Sequence, residues 1–243
     1  MQQKIFTVTR NENIAKNTYR MVLQGDASDI TAGQFVNLKI DGFFLRRPIS
    51  VCDRKENELT LVYKVVGKGT EVMAKAKAGD PFDILTGLGN GYDTEKSGLS
   101  PLLVGGGVGV PPLYYLCKKL KEEGKNPSVI LGFNAKDEIF FEEEFKALGV
   151  PVFVTTVDGS YGIKGFVTDA LEKVSYTYFY TCGPEPMLKS LWQKTETSGQ
   201  FSFEERMGCG FGACMGCTCK TLAGNKRICK DGPVLEKEEI LWQ

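Results

Sequence analysis

Five of the chain's eight cysteines fall between positions 209 and 229, in the segment GCGFGACMGCTCKTLAGNKRIC. Cys209, Cys214, Cys217 and Cys229 follow the spacing C-x4-C-x2-C with a distant fourth cysteine. That is the plant-type spacing for holding a [2Fe–2S] cluster by four thiolates. Gly208, Gly210, Gly212 and Gly216 let such a loop wrap tightly, with φ > 0 where the path needs it. Its N–H groups can then address the cluster's sulfides, one lever on reduction potential. Two other readings use the same residues. A disulfide framework needs an oxidising compartment, which nothing in the sequence indicates. A structural zinc prefers paired C-x2-C knuckles, and Cys214–Cys217 is a single pair with Cys229 standing apart. Cys219 could take the place of Cys217, but C-x4-C-x4-C fits the pattern less well. It is expected to be a buried or neighbouring thiol.

The chain contains no histidine. That removes imidazole general bases, Ser-His-Asp triads, His-ligated zinc and Rieske-type clusters. Catalysis by such a chain would be carried by cofactors, and no side chain is singled out as catalytic. Thirty basic residues balance thirty acidic ones, which argues against a nucleic-acid partner held mainly by charge. The polar start MQQKIFTVTRNEN lacks an apolar signal core, and the uncharged run Ser97 to Cys117 is broken by glycines and prolines. It is a poor membrane span. Clustered thiols without an export signal point to the cytoplasm.

At 243 residues the chain can form two compact domains and an appendage. Up to about Thr86 the texture is short alternating strands, around Phe6–Val8, Tyr19–Leu23, Val36–Ile40 and Leu59–Val65, separated by turn residues. This predicts an antiparallel β-barrel with one helical piece over Thr70–Lys77. After Ser97-Gly98 strands alternate with helices. Strands are expected at 102–104, 129–133, 152–157 and 176–181, and helices near 141–148, around 166–174 and after Pro112, the last with Leu113, Leu116, Cys117 and Leu120 on one face and Gly124 just past its end. A last helix from Pro184 should turn Met187, Leu188, Leu191 and Trp192 inward. That alternation predicts a parallel-sheet α/β nucleotide-binding domain. The domains are placed at 1–98, 99–200 and 201–243, the last being the cysteine-loop domain.

Four further motifs could bind cofactors. Arg47-Pro48-Ile49-Ser50 can present a fixed guanidinium to a phosphate, with a hydroxyl and main-chain groups for a flavin ring, or be an edge strand with a solvated arginine pair. Gly69-Thr70 opens a helix where a pyrophosphate can dock, or forms a turn with Thr70 as N-cap. Gly105-Gly106-Gly107-Val108-Gly109-Val110-Pro111-Pro112 lies between strand and helix, where nucleotide phosphates bind, although Val110 breaks the strict G-x-G-x-x-G pattern. Such a turn can also be glycine-rich only for packing. Cys182-Gly183-Pro184 ends another strand and should open on the same crevice, unless Cys182 is an inert core thiol.

In this order the motifs resemble the ferredoxin–NADP reductase superfamily. The loop Glu204 to Cys214, with Cys229-Lys230-Asp231-Gly232-Pro233 behind it, is similar to that of the electron-transfer subunits of dihydroorotate dehydrogenase B, essentially over the full length. The resemblance implies FAD on the barrel, with Arg47 to Ser50, Val62-Tyr63-Lys64 and Gly69-Thr70 as contacts. It implies NAD(H) on the parallel-sheet domain and a [2Fe–2S] cluster linking the flavin to FMN in a separate catalytic subunit, two of each chain making a heterotetramer. Asn134-Ala135-Lys136-Asp137 holds both an acid and a base near the expected ribose, so charge does not choose NADH over NADPH. Where relatives commonly read Gly-Pro-Leu-Gly, this chain has Thr86-Gly87-Leu88-Gly89, which should loosen that turn. A related ferredoxin:NADP or sulfide oxidoreductase subunit, or a stand-alone oxygenase reductase, would share these motifs. A zinc-stabilised binding module would not bind flavin.

Overall fold

The computed structural model describes residues 1–242. Six strands, β1 (Gln2–Ala15), β2 (Thr18–Gln24), β3 (Phe35–Leu38), β4 (Arg47–Lys55), β5 (Glu58–Lys64) and β6 (Pro81–Leu88), close into an antiparallel barrel in the order β1-β2-β5-β4-β3-β6. Alternation puts Phe6, Val8, Met21, Leu23, Val36, Leu38, Leu59, Leu61 and Ile84 in its interior. β1 is far longer than the Phe6–Val8 alternation suggests. Its first half pairs with β6 and its second with β2, and shifts of register at Val8/Arg10 and Asn13/Ala15 bend it round the barrel. α1 (Lys68–Ala74) starts and ends earlier than expected, with Gly67 rather than Thr70 as N-cap.

β7 (Pro101–Gly106), α2 (Val110–Glu122), β8 (Ser128–Phe133), α3 (Glu142–Ala147), β9 (Val152–Thr156), β10 (Ile163–Lys164), β11 (Tyr178–Cys182), α4 (Glu185–Lys194) and β12 (Gly199–Ser202) follow in chain order, with the expected alternation broken where β10 succeeds β9 without a helix, and with β10 and β12 as strands the sequence did not signal. The segment at 166–174 is a 3-10 turn over Val167–Lys173 rather than an α-helix, with Asp169 accepting a hydrogen bond from the Phe166 N–H at 2.7 Å. On α4, Leu188 and Leu191 are buried, while Met187 and Trp192 are only half-buried.

The cysteine segment carries the hairpin β13 (Thr218–Thr221) and β14 (Gly224–Arg227), followed by β15 (Val234–Glu236). The large sheet has the order β10-β9-β8-β7-β11-β12-β15, parallel except for β15, which returns antiparallel to β12. The C-terminal segment is thus stitched onto the edge of the nucleotide-binding sheet.

Barrel and sheet meet along α2. Cys52 and Val62 share a buried cluster with Val110, Leu113 and Leu116. Lys118 Nζ pairs with Asp53 at 2.7 Å, and Arg54 Nε donates to the Tyr115 hydroxyl at 2.8 Å. Among the described residues, no helix is long and apolar enough to cross a membrane.

Candidate functional site

Three places carry the predicted residues. The first is an opening in the barrel wall. The β4–β5 ladder stops at Val51–Leu61, so Arg47–Ser50 and Val62–Lys64 run on beyond it without pairing to one another. Strand edges of this kind offer N–H and C=O groups to a ligand. Register places Ser50 opposite Phe35 and Pro48 opposite Asn37. Val36 and Leu38 point into the barrel, so Phe35, Asn37, Pro48 and Ser50 share its outer face.

Arg47 lies over the Phe43 ring at 4.8 Å and its Nη1 donates to the Leu45 carbonyl at 2.5 Å. A Cβ on Gly69 would come within 2.3 Å of Arg47 Nε, so this arginine and the start of α1 form one cradle. The Thr70 hydroxyl accepts from the Val66 and Gly67 N–H groups at 3.0 and 3.2 Å and fixes the turn. Arg46 is not part of a solvated pair. It bridges to Asp83 at 2.9 Å and donates to the Asn37 carbonyl at 3.3 Å, bracing β3 against β6. Tyr63 turns its phenol into the barrel, donating to Asn11 Oδ1 at 3.0 Å, and burial raises its pKa. Only its main chain reaches the opening.

The second place is the switch point of the sheet. β7 is flanked by β8 and β11, and the chain order reverses there, which is where open parallel sheets bind nucleotides. Gly105 lies opposite Cys182. Gly107 takes φ 51 in the turn. At Gly109 a Cβ would strike the Cys182 carbonyl at 2.2 Å, and at Gly106 it would strike Met187 Sδ at 2.5 Å and Pro184 Cδ at 3.1 Å. The predicted residues Gly105, Gly106, Gly107, Gly109, Cys182, Gly183 and Pro184 are therefore assembled into one rim. Val110 is fully buried against Gly105, which accounts for the broken glycine pattern. Burial pushes the Cys182 thiol up to about 12, partly opposed by Ser202, so it is neutral at pH 7. Beyond β8, Glu138 accepts from Asn134 at 2.9 Å and pairs with Lys64 at 3.4 Å. Asp137, the acid of the expected ribose turn, pairs with Lys16 at 3.0 Å.

The third is the cysteine loop. Cys209 Sγ accepts N–H bonds from Phe211 at 3.5 Å, Ala213 at 3.2 Å and Cys214 at 3.4 Å. Burial opposes its thiolate, but these N–H groups and the Cys214 thiol outweigh it and bring Cys209 down to about 6. Cys217 Sγ accepts the Cys229 N–H at 3.4 Å, and burial together with the Cys217 thiol pushes Cys229 up to about 12. All eight cysteines are free thiols, with no disulfide among the described residues.

Among the described residues no three ligating side chains gather at one point. The sulfurs come instead as two pairs, 209 with 214 and 217 with 229. Two two-sulfur sites suit a cluster of two irons, where zinc takes four ligands round one centre. The left-handed positions of the loop are Gly210 (φ 79), Gly212 (φ 90) and Met215 (φ 61), not Gly208 or Gly216. Those two glycines leave room for Cys214 Sγ, at 3.2 and 3.5 Å from where their Cβ atoms would stand. Cys219 is half-buried on β13 and packs against the apolar cluster that also contains Cys217 and Cys229.

Sequence reasoning missed the groups that fasten this loop. Arg227 donates to the Gly212 carbonyl at 3.0 Å and pairs with Asp231 at 2.9 Å. Asn90 donates to the Val234 carbonyl at 2.7 Å and accepts the Val234 N–H at 3.1 Å. Asn37 donates to the Cys209 carbonyl at 3.2 Å. Each contact spans four to 172 residues of chain, and only Arg227–Asp231 has a local spacing that could have signalled it. Nor is the Thr86–Gly89 turn loose. Gly87 adopts φ 64, closed to proline, and Gly89 packs against Pro233.

Residues 204–241 match the iron–sulfur cluster binding domain of dihydroorotate dehydrogenase B, and residues 103–193 match the oxidoreductase NAD-binding domain. A dihydroorotate dehydrogenase B (NAD(+)) electron transfer subunit from Fusobacterium nucleatum is 47% identical over 253 residues, covering 96% of each chain. Its counterpart from Bacillus pumilus is 44% identical over 255 residues, covering 99% of this chain and 98% of that one. Among solved structures, that of an NADH-dependent reduced ferredoxin–NADP oxidoreductase superposes with a TM-score of 0.90 at 32% identity, over 98% of this chain and 90% of that one. The flavohem-like FAD/NAD binding domain of nitric oxide dioxygenase from Vibrio cholerae shares the fold, with a TM-score of 0.69 at 20% identity, over 79% of this chain and 91% of that one.

Proposed function

Because the chain belongs to the family of dihydroorotate dehydrogenase B electron transfer subunits, we propose how its residues divide the work of that subunit. It is an NAD-linked oxidoreductase subunit of pyrimidine biosynthesis, partnered by a catalytic subunit that holds FMN. Bound FAD and a [2Fe–2S] cluster supply the electron-carrying chemistry between that FMN and NAD+.

In our reading residues 1–98 hold FAD, 99–200 hold NAD(H) and 201–243 hold the cluster. Arg47 and Gly69-Thr70 take the FAD phosphates, while Pro48, Ile49, Ser50 and Val62 to Lys64 line the flavin through the unpaired edges of β4 and β5. Gly105 to Gly109 with Cys182, Gly183 and Pro184 form the rim against which the nicotinamide nucleotide lies, and the neutral Cys182 thiol donates no charge there. Cys209 with Cys214, and Cys217 with Cys229, take one iron each. Cytoplasmic residence and two copies of each chain in the complex complete the proposal. Thiols clustered for a metal support the first.

The paired arrangement of the four cysteines carries the reading. Purification from native extract tests it. We expect a flavin and iron–sulfur absorption spectrum, an FMN-containing partner and dihydroorotate-dependent NAD+ reduction. A colourless protein would overturn it. The 32% identical ferredoxin–NADP oxidoreductase relative favours a second reading, in which the same cofactors serve ferredoxin and NADP. Co-purification with a partner that is reduced by ferredoxin and inert to dihydroorotate would select it.

A further inference from the structure

Asn37 is 1% exposed, and its Oδ1 has no hydrogen-bond partner. Its Nδ2 donates to the Cys209 carbonyl. That bond fixes which way the amide is turned, because the opposite choice would set two oxygens against each other. A leucine would occupy much the same space without the unmet acceptor, so packing alone does not account for an amide here.

Its position does. Asn37 stands beside Pro48 on the outer face of the barrel, one strand away from the segment assigned to the flavin. On its other side it touches the first cysteine of the cluster loop. At Gly210 a Cβ would come within 2.4 Å of Nδ2, so the loop reaches Asn37 only through a glycine, at φ 79. The peptide held in this way leads directly into the turn whose N–H groups at 211, 213 and 214 point at Cys209 Sγ. Hydrogen bonds to ligand sulfur are among the determinants of cluster potential.

We propose that Asn37 is a positioning residue for electron transfer, its amide clamping the Cys209–Gly210 peptide to the flavin-bearing face of the barrel and so setting the N–H bonds to the Cys209 sulfur. It touches neither flavin nor iron in this role and acts through Cys209. The inference rests on the cofactor assignments made above.

The test compares wild type with Asn37→Asp, which keeps the shape and loses the donor, and Asn37→Leu, each as the FAD- and iron-loaded complex with its catalytic subunit. Flavin reduction by NADH should stay within about twofold of wild type. Reduction of the cluster by the flavin should slow about tenfold, and the paramagnetic spectrum and potential of the reduced cluster should shift in the variants that retain iron. Unchanged spectra, potential and rates in those variants would overturn the proposal. So would loss of iron from both variants, which would make Asn37 only a support of the loop. A wild-type protein lacking iron would instead remove the cofactor assignment itself.

Discussion

The turn at 105–109 and the loop at 208–216 are both rich in glycine, and they are held by different forces. The first is fixed by the core at three of its glycines. Gly105 abuts Val110 and Leu113, Gly106 abuts Met187, and Gly109 abuts the main chain of Cys182. The second has little apolar burial. Phe211 and Met215 are exposed, and its path is set by N–H bonds to sulfur and by clamps from Asn37 and Arg227. The path of the turn is set by packed side chains and main chain, that of the loop by hydrogen bonds.

That contrast can be broken at several points. The largest effect is expected from Cys214→Ser, which should abolish the cluster and leave FAD in place. Stoichiometric iron and sulfide in the variant would contradict the ligand assignment. Gly109→Val comes next, because its side chain meets main chain that cannot move aside. It should cost about 3 kcal/mol in urea unfolding and abolish flavin reduction by NADH. Wild-type stability would show that the turn is looser than its contacts imply. Gly210→Ala combines a left-handed backbone with the Asn37 contact and should cost about 2 kcal/mol, confined to the loop. Hydrogen exchange should then rise at 209–216 and stay unchanged in the barrel. Gly107→Ala faces open space and pays only for its positive φ, about 1 kcal/mol. A loss as large as that of Gly109→Val would erase the distinction between the two glycines. Asp231→Asn removes the Arg227 pair, which is about one-third exposed at the carboxylate, and should cost less than about 1 kcal/mol while raising iron loss to chelator.

The parts of this fold legible in the sequence were those written at short range. Cysteine spacing, strand–helix alternation and the order of the motifs depend on neighbours within a few turns. What escaped was written across the chain. Asn37 sits between Val36 and Leu38, so alternation turns it outward, but nothing local names Cys209 as its partner. Arg46 and Arg47 look alike in sequence, yet one, just before β4, goes to Asp83 and the other, its first residue, lies over Phe43 toward Gly69. The helix expected from Phe141 begins one residue later, and Phe141 is a left-handed N-cap at φ 66, its buried ring packed against Tyr114 and Phe140. Tertiary packing there overrode local preference.

The return of β15 to β12 has a consequence for the cysteine loop. The excursion from 203 to 233 begins and ends on adjacent strands of one sheet, so its two feet stay planted whether or not iron is present. An empty loop therefore remains a closed ring, and the entropy of bringing its ends together is already paid by strand pairing. Only the arc between those feet is left to be ordered by polar clamps and by sulfur.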